Sequence, residues 1–150
     1  MTSNAALDAG YVLLVEDDRL HSQLFTMAWH DAGVTSPVVI ASDAAAAFRL
    51  LRDRDAGGQP TAPALVLLDL NLPGRDGLEI LAEIRRDPAL RNLRVVVFST
   101  SSSPADIDAA VAGGADGYVT KPLRYRDLVS EIEGIVTRWL VSHDSQDAPA

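Results

Sequence analysis

The chain alternates short, nearly unbroken apolar runs with amphipathic stretches, and it does so five times. The runs are Tyr11–Val15 (YVLLV), Val38–Ala41, Ala64–Leu68, Val95–Phe98 and Gly117–Val119. Apolar runs without polar alternation suit strands buried on both faces. After the first run, Leu20, Leu24, Met27 and Ala28 recur at helical spacing, with Gly33 as a stop signal. Ser42 reads as the N-cap of a second helix, whose Ala44, Ala47, Phe48 and Leu51 share a face. Leu78, Leu81 and Ile84 mark a third helix, limited by Pro88. A fourth starts near Pro104 and ends at Gly113-Gly114. Leu128, Ile132, Ile135, Val136, Trp139 and Leu140 form the stripe of a fifth. Five strand–helix units predict an α/β fold, a five-stranded parallel sheet with helices on both faces. The folded unit spans 11–140, with flexible ends at 1–10 and 141–150 and a polar connection over Asp53–Pro63.

Composition excludes several classes. A chain of 150 residues, 47% hydrophobic, has the size and core of one ordinary domain. Without cysteine there are no disulfides and no thiolate metal sites. A net charge of −8, with no basic face, argues against direct binding to nucleic acid or to an anionic membrane. No apolar stretch approaches the roughly 18 residues of a membrane span. Met1–Gly10 lacks the pattern of a signal peptide. The expectation is a cytoplasmic protein.

In an open parallel sheet, ligands bind beyond the carboxyl ends of the strands. There this chain places Glu16, Asp17 and Asp18 after the first run and Asp69, Leu70 and Asn71 after the third. Ser99 follows the fourth run, and Lys121-Pro122 the fifth. Converging carboxylates repel one another, which raises a pKa or demands a cation. With oxygen ligands and no histidine at these ends, that cation is Mg2+ rather than zinc, completing its shell with phosphate oxygens. Lys121 adds a point charge for a second phosphate oxygen, and the Ser99 hydroxyl can donate to a third. Asp69 is then left as a nucleophile that forms an acyl phosphate. Singly, each residue has a plainer reading. Asp18 can serve the helix dipole, Asp69 a turn, and Ser99 a cap. Four such residues at the ends of four strands make those readings jointly weak.

The segments LLVEDD, LVLLDLNLPGRDG, VVVFS and GADGYVTKP, with Asp69 and Ser99 30 positions apart and Ser99 and Lys121 22 apart, resemble the receiver domains of bacterial two-component response regulators over about Tyr11–Leu140. The resemblance implies a flavodoxin-like sheet and phosphorylation of Asp69 by a sensor histidine kinase. It also implies direct Mg2+ ligation by Asp17, a second acidic position at Glu16 acting through water, and a backbone ligand at Asn71. Ser99 stands at the switch hydroxyl, often threonine in the family, and Lys121 at the family's lysine, whose bond to the following proline is usually cis. Tyr118 stands at the aromatic that turns inward on activation. Glu16 departs from the commoner aspartate and Leu72 from methionine, which leaves phosphorylation intact. More narrowly, Leu-Asn-Leu-Pro after Asp69, the Ser-Thr-Ser-Ser run and the Trp139-containing last helix look like small receivers paired with phytochrome-type histidine kinases. Such receivers are often homodimers. Trp139 and Leu140 either pack on the core or form a patch that pairs with a second copy.

A Mg2+-dependent phosphohydrolase of the haloacid dehalogenase kind is the main rival. It would carry an aspartate two positions after the nucleophile, where Asn71 cannot transfer a proton. A receiver-shaped binding module without phosphorylation would not need the full set of acidic pair, Asp69, Ser99 and Lys121. Neither GxxxxGK[ST] nor GxGxxG occurs, and His21, His30 and His143 read as ordinary residues. With no output domain after Leu140, the protein is expected to act by docking to a downstream protein or by relaying phosphate to a phosphotransfer domain.

Overall fold

Val12, Leu13, Leu14 and Val15 form β1 (Val12–Val15), and all four are buried. A computed structural model describes residues 10–53, 56–57, 62–72 and 74–140. Around β1 lie β2 (Val38–Ala41), β3 (Leu65–Leu68), β4 (Val95–Ser99) and β5 (Gly117–Thr120), all parallel, in the order β2-β1-β3-β4-β5. The three central strands are buried at every residue. The edge strands are not, and Ile40 of β2 is 39% exposed. Both faces of the sheet are therefore apolar, and a helix layer covers each. One core gathers Leu13, Val66 and Leu68 with Phe48, Ile80 and Ile84, and the other gathers Leu14, Leu67 and Phe98 with Phe25, Trp29 and Ile132.

The helices are α1 (Arg19–Asp31), α2 (Ala44–Leu51), α3 (Gly77–Arg86), α4 (Pro104–Ala112) and α5 (Tyr125–Ile135). Asp18, Asp43, Asp76 and Ser103 cap the first four with side-chain oxygens that accept from early helix amides. The second cap is thus Asp43, not Ser42: Asp43 is the extended residue whose carboxylate accepts from Ala46 N at 2.8 Å. The buried face of α1 also departs from expectation. Ser22, Phe25, Ala28 and Trp29 point inward, while Leu20 and Met27 are 61% and 56% exposed. Apolar residues sit on more than one side of this helix. Its packing beside α5 and the Trp29 Nε1 bond to the Ser36 carbonyl at 2.8 Å fix which side turns in.

After α5 the backbone widens into one π-helical turn, Val136–Leu140. Here Leu140 is buried, and the Trp139 ring crosses so close to Gly117 that a Cβ there would lie 2.4 Å from it. The last stripe therefore spends its aromatic end on the protein's own core. The ends 1–9 and 141–150 and most of the polar connection before β3 lie outside the described residues. Among the described residues no peptide bond is cis, so the bond before Pro122 is trans, the ordinary preference of an X-Pro bond and not the cis form that the resemblance implied.

Candidate functional site

Parallel pairing in register brings the strand ends together. Val15 lies opposite both Ala41 and Leu68, and Ser99 opposite Thr120, so the next residues of β1, β3 and β5 meet at one edge. Glu16, Asp17 and Asp69 each offer a carboxylate oxygen, and these oxygens lie within 4.8 Å of one another. Glu16 and Asp69 are buried, while Asp17 is open to solvent. Lys121 answers them. Its Nζ donates to Glu16 Oε1 and, at 3.2 Å, to Asp69 Oδ2, with the ammonium 5.9 Å from the centre of the Phe98 ring. Three carboxylates against one ammonium leave an uncompensated negative charge. The donor set is all oxygen, partly buried and partly open, which fits Mg2+ with retained waters.

The remaining lone pairs of the two buried carboxylates face amides. Asp18 N donates to Glu16 Oε2 at 3.1 Å, and Asn71 N donates to Asp69 Oδ1 at 3.1 Å. His21 Nδ1 lies 3.8 Å from Glu16 Oε2. Burial pushes the Glu16 carboxyl above its ordinary range, opposed by the hydrogen bond and charge of Lys121 and by the Asp18 amide, and reinforced by the Asp69 charge. Asp18 itself is held below the ordinary range by the His21 amide it caps, as a helix N-terminal residue should be.

A raised carboxyl pKa has a defined sign. The folded state holds the Glu16 proton more tightly than the unfolded state, so the associated stability is present below 4.5 and is lost as pH rises through the higher folded value. We expect Glu16→Gln, compared with wild type in metal-free buffer, to flatten this dependence. The melting temperature of the variant should gain on wild type as pH rises from 4.5, and a constant difference would refute it.

Ser99 is fully buried at the end of β4. Its Oγ accepts from Ser101 N at 3.2 Å, and its carbonyl accepts from Lys121 N at 2.7 Å. Tyr118 lies partly buried on β5 and donates through its hydroxyl to the Ser101 carbonyl at 2.8 Å. The Ser101 hydroxyl bonds Asp106 at 2.5 Å on α4. Ser101, which sequence reasoning passed over within a run of serines, is thus the joint between Ser99, Tyr118 and α4. Its position two residues after Ser99, like Asn71 two after Asp69, was the available signal. All the predicted site residues, Glu16, Asp17, Asp69, Asn71, Ser99, Tyr118 and Lys121, lie at or beside this edge, and Asp18 serves as a cap.

A five-stranded parallel sheet of this order, with an acidic triad, a lysine and a hydroxyl at its carboxyl edge, defines a receiver. The chain belongs to the response regulator receiver domain family, which matches residues 12–133. It is 39% identical over 135 residues to the probable methanogenesis regulatory protein FilR2 of Methanothrix harundinacea, covering 90% of this chain and 86% of that protein. Response regulator Rcp1 of Synechocystis is 36% identical over 129 residues, covering 86% of this chain and 88% of Rcp1. The solved Mn2+-bound form of Rcp1 superposes with a TM-score of 0.74, at 36% identity, over 87% of this chain and 94% of that one. The phosphorylated cyanobacterial phytochrome response regulator RcpA superposes with a TM-score of 0.77, at 37% identity, over the same shares. Receivers of this family are signalling modules that promote their own phosphorylation and dephosphorylation, not metabolic enzymes. Among the described residues no helix is long and apolar enough to cross a membrane.

Proposed function

We propose that this receiver takes a phosphoryl group from a sensor histidine kinase onto Asp69 and that Mg2+ is held by Glu16, Asp17, Asp69 and the backbone of Asn71. The observation that carries this reading is the cluster itself: three carboxylates within 4.8 Å of one another and one lysine shared by two of them. A bound Mg2+ would supply positive charge toward the phosphoryl oxygens.

The chain's own groups do the rest. The bond from phosphorus to the donor breaks as a bond from phosphorus to an Asp69 carboxylate oxygen forms, giving an acyl phosphate. Lys121 already touches Asp69 Oδ2, so its ammonium meets the charge gathered on the transferred group. The Ser99 hydroxyl proton is not needed by Ser101 N, which uses the oxygen only as an acceptor. That proton is free to turn toward a phosphoryl oxygen. When Ser99 turns, the acceptor of Ser101 N moves, and with it the carbonyl that holds Tyr118 and the hydroxyl that holds Asp106. The face formed by α4, β5 and α5 changes in consequence, and a downstream protein or phosphotransfer domain reads it.

The similarity to the phosphorylated cyanobacterial phytochrome response regulator RcpA supports a phytochrome-type kinase as donor. Dimerisation through Trp139 and Leu140 has no such support: Leu140 is buried, and the partly buried Trp139 ring packs against Gly117.

The test is incubation with acetyl phosphate and Mg2+, followed by intact mass. One added phosphoryl group that disappears when EDTA replaces Mg2+ is the expected result. No addition, from acetyl phosphate or from a phosphorylated phytochrome-type kinase, would leave a docking module in its place.

A further inference from the structure

The loop that follows β3 carries both Asp69 and Asn71, and its far end is clamped from outside. Asn71 and Asp76 form an isolated antiparallel bridge, and Gly77 N donates to the Leu70 carbonyl at 2.9 Å, so Leu70 and Asn71 are tied back to Asp76 and Gly77. Arg75 ties this segment to α3. Its Nη2 donates to Glu83 Oε1 of α3 at 2.9 Å, and its Nε lies 3.8 Å from Glu79. The Arg75 guanidinium stands 5.7 Å from the centre of the Phe48 ring on α2. Arg52 occupies the same ring at 4.7 Å and bonds Glu83 and Asp87, so Glu83 is shared between two arginines. The two guanidiniums hold the Glu83 carboxyl below its ordinary range. Only Arg75 of this network belongs to the loop; Arg52 belongs to the end of α2.

We propose that Arg75 is a positioning residue for the metal site: its bond to Glu83 and its approach to the Phe48 ring hold Asp76, and through the Asp76 bridge the Asn71 backbone, against Asp69. This rests on the Mg2+ reading above. Partly exposed ion pairs add little to global stability, so the arrangement has little value as a staple. It has value as a constraint on a short loop that would otherwise fix Asn71 by one amide bond to Asp69 and one bridge. An outer partner that orients a ligand-bearing segment typically changes metal affinity by tenfold or more, and one this exposed belongs at the low end, about tenfold.

The test compares wild type with Arg75→Met, Glu83→Gln and Arg52→Met. Two readouts are taken: Mg2+ affinity by calorimetry, and hydrogen exchange of the Asn71 amide without metal. Arg75→Met should bind Mg2+ about tenfold more weakly and exchange its Asn71 amide faster, at nearly unchanged melting temperature. Glu83→Gln should follow it in part. Arg52→Met should leave both readouts at wild-type values, because Arg52 does not touch the loop. Equal loss in Arg52→Met would mean a general effect of the charge network and would overturn the assignment. So would wild-type affinity together with wild-type exchange in Arg75→Met. If wild type itself bound no Mg2+, the metal reading would fall, while the exchange measurement would still decide whether Arg75 holds the loop.

Discussion

Asp69→Asn protein, given acetyl phosphate and Mg2+ until wild type is fully labelled, should acquire no phosphoryl group and should melt at a higher temperature than wild type. The first result follows from chemistry. An amide oxygen is not an anionic nucleophile, and the other two carboxylates of the cluster sit at the end of β1, where Glu16 is closed in by Lys121 and the Asp18 amide. The second follows from charge. Asp69 gains from Lys121 at 3.2 Å and loses to two carboxylates, Glu16 and Asp17, whose oxygens lie within 4.8 Å. Such pairs near a protein surface are each worth on the order of 4 kcal/mol at 4 Å before solvation is counted, so two repulsions outweigh one attraction. Asparagine keeps an oxygen to accept from Asn71 N and leaves Lys121 paired with Glu16. A net gain on the order of 1 kcal/mol, or about 3 °C, is expected in metal-free buffer. Added Mg2+ should raise the melting temperature of wild type and do much less for the variant. Labelling of Asp69→Asn at the wild-type rate would move the phosphoryl group to another residue. A variant that melts below wild type would mean that the Lys121 pair outweighs the repulsion.

The same electrostatics explain why the acidic cluster could be read from the sequence. Acidic residues placed at the ends of the first and third strands make no sense as packing, since burying them costs desolvation, so they stand out against runs such as Leu65–Leu68 that are wholly apolar. The sheet was legible for the complementary reason: an unbroken apolar run of four or five residues fits a strand covered on both faces. What could not be read was anything decided by tertiary geometry. Leu20 and Met27 sit at helical spacing with Leu24, yet Phe25 and Trp29 won the buried side, because which stripe turns inward depends on what packs against it. Ser42 and Asp43 are both good caps, and only the backbone path chose between them. The sharing of Lys121 between Glu16 and Asp69, the bond from Tyr118 to Ser101 and the reach of Arg75 to Phe48 link residues far apart in sequence. Their partners exist only once the strand ends have been brought together.

Among the described glycines, Gly77→Ala should be the most damaging change to alanine, costing about 3–5 kcal/mol of stability, well above the usual range for overpacking. Gly77 is the first residue of α3, buried directly behind the site. A Cβ there would lie 2.3 Å from the Asp69 carbonyl oxygen and 2.7 Å from Leu70 Cα. Both obstacles are backbone, so no side chain can rotate to make room. Either the Gly77–Leu70 hydrogen bond breaks or the end of β3 shifts and carries Asp69 with it. The helix-propensity gain of alanine over glycine, at most about 1 kcal/mol, cannot offset this. Gly134 supplies the contrast. It lies in α5, is exposed, and has nothing within 4 Å of the position a Cβ would take. Gly134→Ala should therefore stabilise by roughly 0.5–1 kcal/mol. Chemical denaturation of the two variants beside wild type should give midpoints on opposite sides of it. Equal midpoints would mean that the β3–α3 junction yields without cost. In that case the close approach of α3 to Asp69 would not be what fixes the acceptor, and the bonds from Lys121 and Asn71 would have to hold Asp69 in place on their own.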